Sequence, residues 1–197
     1  MVQTIASVLR QERRTQPRLS PNLKRKSDEI VQAFGNRENF LRAFNPDAQK
    51  DVCANTDECF FGGSPSLGML NVTYGDNTAV MWLIPELYNL SEYCGCRDKL
   101  EGTPLKECAR VIAMEFHYLK VTEVMLFFHR FKSGRYGRFY GSVDPLVITT
   151  SLRDFLAERE YAYNARMQQE QRLAAERDKQ NAVSYEEYLA TKNDRTE

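Results

Sequence analysis

Five of the seven prolines in this chain follow a residue that caps helices well: Ser20-Pro21, Asn45-Pro46, Ser64-Pro65, Thr103-Pro104 and Asp144-Pro145. The side-chain oxygen of such a cap accepts a first-turn N–H, and a proline in the next position gives up an N–H that has no helical partner there. The residue before proline is also pushed toward the extended backbone that a cap adopts. Five helix starts are therefore predicted before any hydrophobic pattern is counted. A chain punctuated in this way is expected to fold mainly as α-helix.

Periodicity follows these starts. Leu23, Ser27, Ile30, Val31 and Phe34 share one face, Gly35 stops that helix, and Asn36 caps a short segment through Phe44. Asn45 ends the segment and opens the next. After Ser64, Leu67 and Leu70 make a short helix that halts near Tyr74-Gly75. Thr78 to Tyr93 is apolar at Val80, Leu83, Leu87 and Leu90, with Pro85 expected to kink the helix or divide it in two. From Thr103, Leu105, Cys108, Ala109, Ile112, Phe116 and Leu119 form a helical stripe. Val121, Val124, Met125, Phe128 and Phe131 continue it, so that the two segments read as the core helix pair. Val121 to Phe131 is also rich in β-branched and aromatic residues, which leaves an α+β fold with a small sheet as the alternative.

The window Phe127 to Pro145, FFHRFKSGRYGRFYGSVDP, is the most specialised stretch. Six aromatics, four cations and three glycines crowd into nineteen residues. Two readings of it stand. In one, Arg130, Lys132, Arg135 and Arg138 contact phosphates while Tyr136, Phe139 and Tyr140 stack on exposed bases or brace the loop. In the other, Phe127, Phe128, Phe131, Phe139 and Tyr140 anchor a tight connection between helices, with the arginines in solvent.

The formal net charge of zero hides a segregation along the chain. Residues 1–26 sum to +6, 27–126 to −7, 127–152 to +3 and 153–197 to −2. The first segment is a basic arm whose Arg13, Arg14, Lys24, Arg25 and Lys26 are candidate helpers of the loop in binding nucleic acid. At the other end, RMQQEQRLAAERDKQ is strongly helix-forming with hardly an apolar stripe. Beyond it Ser184 and Glu187 fit a capping box. Tyr185, Tyr188 and Leu189 share one face of the short helix it would start, a candidate tip for docking a protein partner.

Enzymatic constellations are scarce. The two histidines, His117 and His129, are twelve residues apart, and no Walker loop, Rossmann fingerprint, nucleophile elbow or HExxH pattern occurs. The five cysteines, Cys53, Cys59, Cys94, Cys96 and Cys108, lack paired zinc-knuckle spacing, and free thiols are expected. No cofactor, metal or small-molecule substrate is indicated, and no apolar run is long enough to cross a membrane. The expectation is a cytoplasmic, non-enzymatic protein.

The run Asp57 to Arg159, with ECFFGGSPSLGMLNVTYG, TAVMWLIPELYNLSEYCG and above all RFKSGRYGRFYGSVDP, resembles an uncharacterised family of gut anaerobes, their phages and their conjugative elements. The resemblance implies no activity and no catalytic residue. It does imply a setting on mobile DNA, hence an accessory role in its replication, maintenance or regulation.

The sequence thus leads to a single compact helical domain over residues 20–160, preceded by a basic arm at 1–19 and followed by a polar helical extension at 161–197. Its expected function is nucleic-acid binding through the basic, aromatic, glycine-rich loop. The alternative is a protein adaptor or inhibitor, for example associated with a replication helicase, that makes no direct contact with DNA.

Overall fold

The computed structural model describes residues 19–181. Among them are nine α-helices and one 3-10 turn, with three isolated backbone bridges but no strand. The fold is mainly α. Arg13, Arg14, Tyr185, Tyr188 and Leu189 lie outside the described residues.

The first helix, α1 (Pro21–Phe34), opens on Ser20, whose Oγ accepts from Leu23 N, and stops at Gly35. Asn36 caps α2 (Arg37–Ala43) through Asn39 N at 2.9 Å. Asn45 Oδ1 takes the N–H groups of Asp47 and Ala48 at 2.8 and 3.1 Å, opening the 3-10 turn Pro46–Ala48, which runs into α3 (Gln49–Val52). There follow α4 (Thr56–Phe61), α5 (Leu67–Tyr74), α6 (Thr78–Tyr93), α7 (Gly102–Glu115) and α8 (Val121–Lys132). Asp144 Oδ1, accepting from Leu146 N at 2.8 Å, opens the last helix, α9 (Pro145–Asn181).

Two of the five expected starts are displaced. Ser66, rather than Ser64, caps α5, because Ser64 Oγ is engaged 2.7 Å from Thr122 Oγ1 and Pro65 O accepts from Val121 N. These contacts hold 64–65 against the start of α8. In α7 the helix begins at Gly102, so Thr103 and Pro104 lie within the first turn, where a missing N–H is still harmless. Pro85 does not divide α6. It sits on the exposed face beside Met81, whose carbonyl loses its i+4 donor toward water rather than toward the core.

The strand alternative over Val121 to Phe131 is replaced by α8, a helix apolar nearly all round. Every residue from Val121 to Phe128 is buried, as is Phe131. Such a helix must be surrounded. It packs against α3, α4 and α6, whereas the principal neighbour of α7 is α6, so α7 and α8 are not the pair their continuous pattern suggested. Helix α6 is the hub, touching α5, α7 and α8 and contributing Trp82, Leu83, Leu87 and Leu90 to the core. The Trp82 indole donates to Phe44 O at 2.6 Å, tying the hub to an aromatic cluster of Phe34, Phe40, Phe44 and Tyr74.

The chain divides into two compact units, one through Ser151 and one from Leu152. In the second unit every residue from Asn164 to Gln180 is exposed. An Arg166–Glu170 pair at 2.9 Å supports that stretch locally. Among the described residues no helix is long and apolar enough to cross a membrane.

Candidate nucleic-acid interface

The basic-aromatic loop leaves the C-terminal end of α8. Ser133 and Gly134 turn the chain by donating to His129 O and Phe131 O, and Arg135 N returns to Arg130 O at 3.2 Å. At its far end the loop is stitched to another segment: Asp98 N donates to Gly141 O at 3.1 Å, and Val143 N to Asp98 O at 2.9 Å. Ser151 Oγ holds the middle through Tyr136 O at 3.3 Å. Gly134, Gly137 and Gly141 all have positive φ, reaching 116° at Gly137, a backbone that a side chain would strain.

Within this tethered loop the side chains divide by role. Tyr136 packs on the Phe127 ring at 5.4 Å between centroids, and Phe139 stacks on Phe131 at 5.2 Å and 23°. Both brace the loop against α8. Tyr140, by contrast, is 88% exposed, and Arg135 and Arg138 are exposed with it. Arg130 lies over the Phe60 ring, 5.7 Å from its centroid.

Lys132 is not presented with these arginines. It is half-buried, and its Nζ donates to Gln49 Oε1 at 2.7 Å and to Asn89 Oδ1. Behind Gln49 sits Glu86, with no exposed surface, whose Oε2 accepts from Gln49 Nε2 while its Oε1 has no hydrogen-bond partner. Burial pushes the Glu86 carboxyl up to about 7, against the pull of the Gln49 amide and the Lys132 charge, while Asp47 adds to the rise. Burial likewise lowers the Lys132 ammonium. The helix α8 therefore ends by turning one cation inward onto two amides, one of which bonds a buried acid, and periodicity alone does not reveal this.

The candidate helpers on α1 are exposed, with Arg25 donating to Asn22 Oδ1 at 3.1 Å and lying 3.9 Å from Glu29. Lys26 lines a cavity of about 410 Å³ with Gly63, Ser64, Pro65 and Ser66, beside the N-terminal end of α8. The loop leaves the opposite end of that twelve-residue helix, about 18 Å away along its axis. Lys26 and the loop arginines are thus not gathered at one end of α8. The backbone bonds at Asp98 do bring another cation to the loop, Arg97, which is exposed and 3.3 Å from the Asp98 carboxylate. Sequence reasoning missed it because the signal is a long-range backbone bridge.

Cys53, Cys59 and Cys94 lie within electrostatic reach of Arg130 or Lys132. All five cysteines are free; Cys53, Cys59 and Cys108 are buried and Cys94 and Cys96 half-buried. Cys59 Sγ donates to Val52 O at 3.2 Å. A hydrogen bond between Cys53 and Cys59 raises the first and lowers the second. Among the described residues no three His, Cys, Asp or Glu side chains gather as a metal-binding group.

A family model described as a family of unknown function (DUF6633) matches residues 99–197, half of the chain. The chain belongs to this family. The DUF6633 match takes in α7, α8, the loop and α9. It begins later than the resemblance drawn from the sequence and, unlike it, includes the polar extension. No curated protein and no solved structure matches the chain.

Proposed function

We propose that this protein binds nucleic acid through Arg135, Arg138 and Tyr140, as a cytoplasmic, non-enzymatic accessory of mobile DNA in gut anaerobes. The observation that carries the reading is the division of the loop. Three aromatic or glycine devices hold it in place, while one aromatic ring that is 88% exposed stands out with two exposed arginines. An exposed tyrosine on the same loop as two exposed arginines suits an unpaired base next to its phosphate, since stacking tolerates any base and the arginines track the backbone. The preferred ligand is therefore single-stranded, and base readout is loose. Tyr136 and Phe139 act on this reading as braces, Arg130 and Lys132 belong to the body below, and Lys24, Arg25 and Lys26 add a separate basic surface on α1.

The test is fluorescence-anisotropy binding of labelled single- and double-stranded DNA by the full chain and by Tyr140→Ala and Arg135→Ala/Arg138→Ala variants. Loss of one stacked base should weaken single-strand binding by about 1–3 kcal/mol, with an unchanged melting temperature. A variant that binds as the parent does, or that loses its fold, would remove the loop as the binding surface.

A further inference from the structure

Lys132, Gln49 and Asn89 meet at the floor of a cavity of about 530 Å³ between the Pro46–Lys50 turn, α6 and the last turn of α8. That volume is ordinary for a small-molecule site. We propose that this cavity binds a small planar molecule bearing an oxyanion, a carboxylate or a phosphate, a ligand distinct from the nucleic acid proposed for the loop.

The argument begins with the hydrogen-bond inventory of the floor. An ammonium only donates, so both amides must turn an oxygen toward Lys132. Gln49 then has its NH2 on the Glu86 side, where it donates to Oε2. Asn89 has its NH2 left over, and Lys132 has one N–H beyond the two given to the amides. The floor accordingly offers donors, and an oxyanion is the acceptor they match.

Charge and shape agree with that match. Lys50 and His129 stand on the rim, and the Tyr93 ring, 63% exposed with Lys132 Nζ 5.9 Å from its centroid, gives a flat wall for the ligand body. Of the two rim acids, Glu92 is already bound to Lys99 Nζ at 2.5 Å, and Asp47 opposes the anion at the exposed edge. The buried acid behind the floor is held partly protonated near neutral pH, so it only partly cancels the Lys132 charge. The unpartnered Glu86 Oε1 marks this as the least satisfied polar position among the buried carboxylates described.

The experiment is titration of the full chain with phenyl phosphate, benzoate and benzylamine, followed by amide chemical shifts in two-dimensional NMR. Phenyl phosphate and benzoate are expected to bind at millimolar concentration and to move the Asn89 side-chain amide and the Tyr93 backbone signal. The tighter of the two identifies the oxyanion. Benzylamine, with the same ring and the opposite charge, should move neither. Tyr93→Ala, on an exposed site that leaves the core intact, should weaken the anions by about fivefold. Lys132→Met paired with Glu86→Gln, which removes the ammonium together with the buried acid behind it, should abolish binding. Silence toward both anions, equal response to benzylamine, or unchanged affinity in Tyr93→Ala would each overturn the proposal.

Discussion

At the scale of single residues, Glu86 is the position whose chemistry departs furthest from its sequence appearance. It stands in α6 among Leu83, Leu87 and Leu90 and is wholly buried with them. Its carboxyl moves from 4.5 to about 7, so the folded state holds the proton more tightly than the unfolded chain does. Between those two pH values the folded protein binds more protons, and stability must fall as pH rises, levelling off above about 7. The full loss is about 3 kcal/mol. Chemical denaturation from pH 4.5 to 8 should show that slope in the parent and lose it in Glu86→Gln; equal slopes in both would refute the assignment. Thiol chemistry gives a second residue-level expectation. Burial keeps Cys53, Cys59 and Cys108 from reagent, with Cys108 pushed up to about 12, while Cys94 and Cys96 are half-buried. Iodoacetamide should add two groups to the folded protein and five after denaturation, as read by intact mass. The free thiols were expected from the sequence, but the Glu86 network was not legible there, because Gln49, Glu86 and Lys132 lie far apart along the chain and meet only through packing.

At the scale of elements, the local signals carried most of the fold. Ser20, Asn36, Asn45 and Asp144 cap where the cap rules place them, since a cap is decided by neighbours within three residues. Ser64 failed as a cap because Thr122, a residue 58 positions away, competes for its hydroxyl. The α7–α8 pairing failed for a related reason: periodicity says which face is buried but not against what. The short connection after α4 provides the test at this scale. Lys120 Nζ donates to Phe60 O and Gly62 O, both at 2.8 Å, clamping the end of α4 to the start of α8. A Cβ on Gly62 would collide with the Glu58 carbonyl oxygen and carboxylate. Gly62→Ala should therefore lower unfolding free energy by about 2 kcal/mol, measured by urea denaturation, whereas the open position Gly63→Ala should change it little. Equal effects at the two sites would contradict the close packing of Gly62 against Glu58.

For the whole molecule, the sequence showed that charge is segregated but not which cations share a surface. The structure places Lys26 beside one end of α8 and the loop at the other, adds Arg97 to the loop, and withdraws Lys132 into the body. The proposed interface thus narrows from a list of seven loop residues to Arg135, Arg138 and Tyr140. The measurement that bears most directly on it is the salt dependence of single-stranded DNA binding. With both arginines on phosphates, the slope of log K against log salt in Arg135→Ala/Arg138→Ala should be shallower by about 1.4 than in the parent, at an unchanged melting temperature. Absence of binding at low salt, or identical slopes for parent and variant, would contradict a nucleic-acid role for the loop.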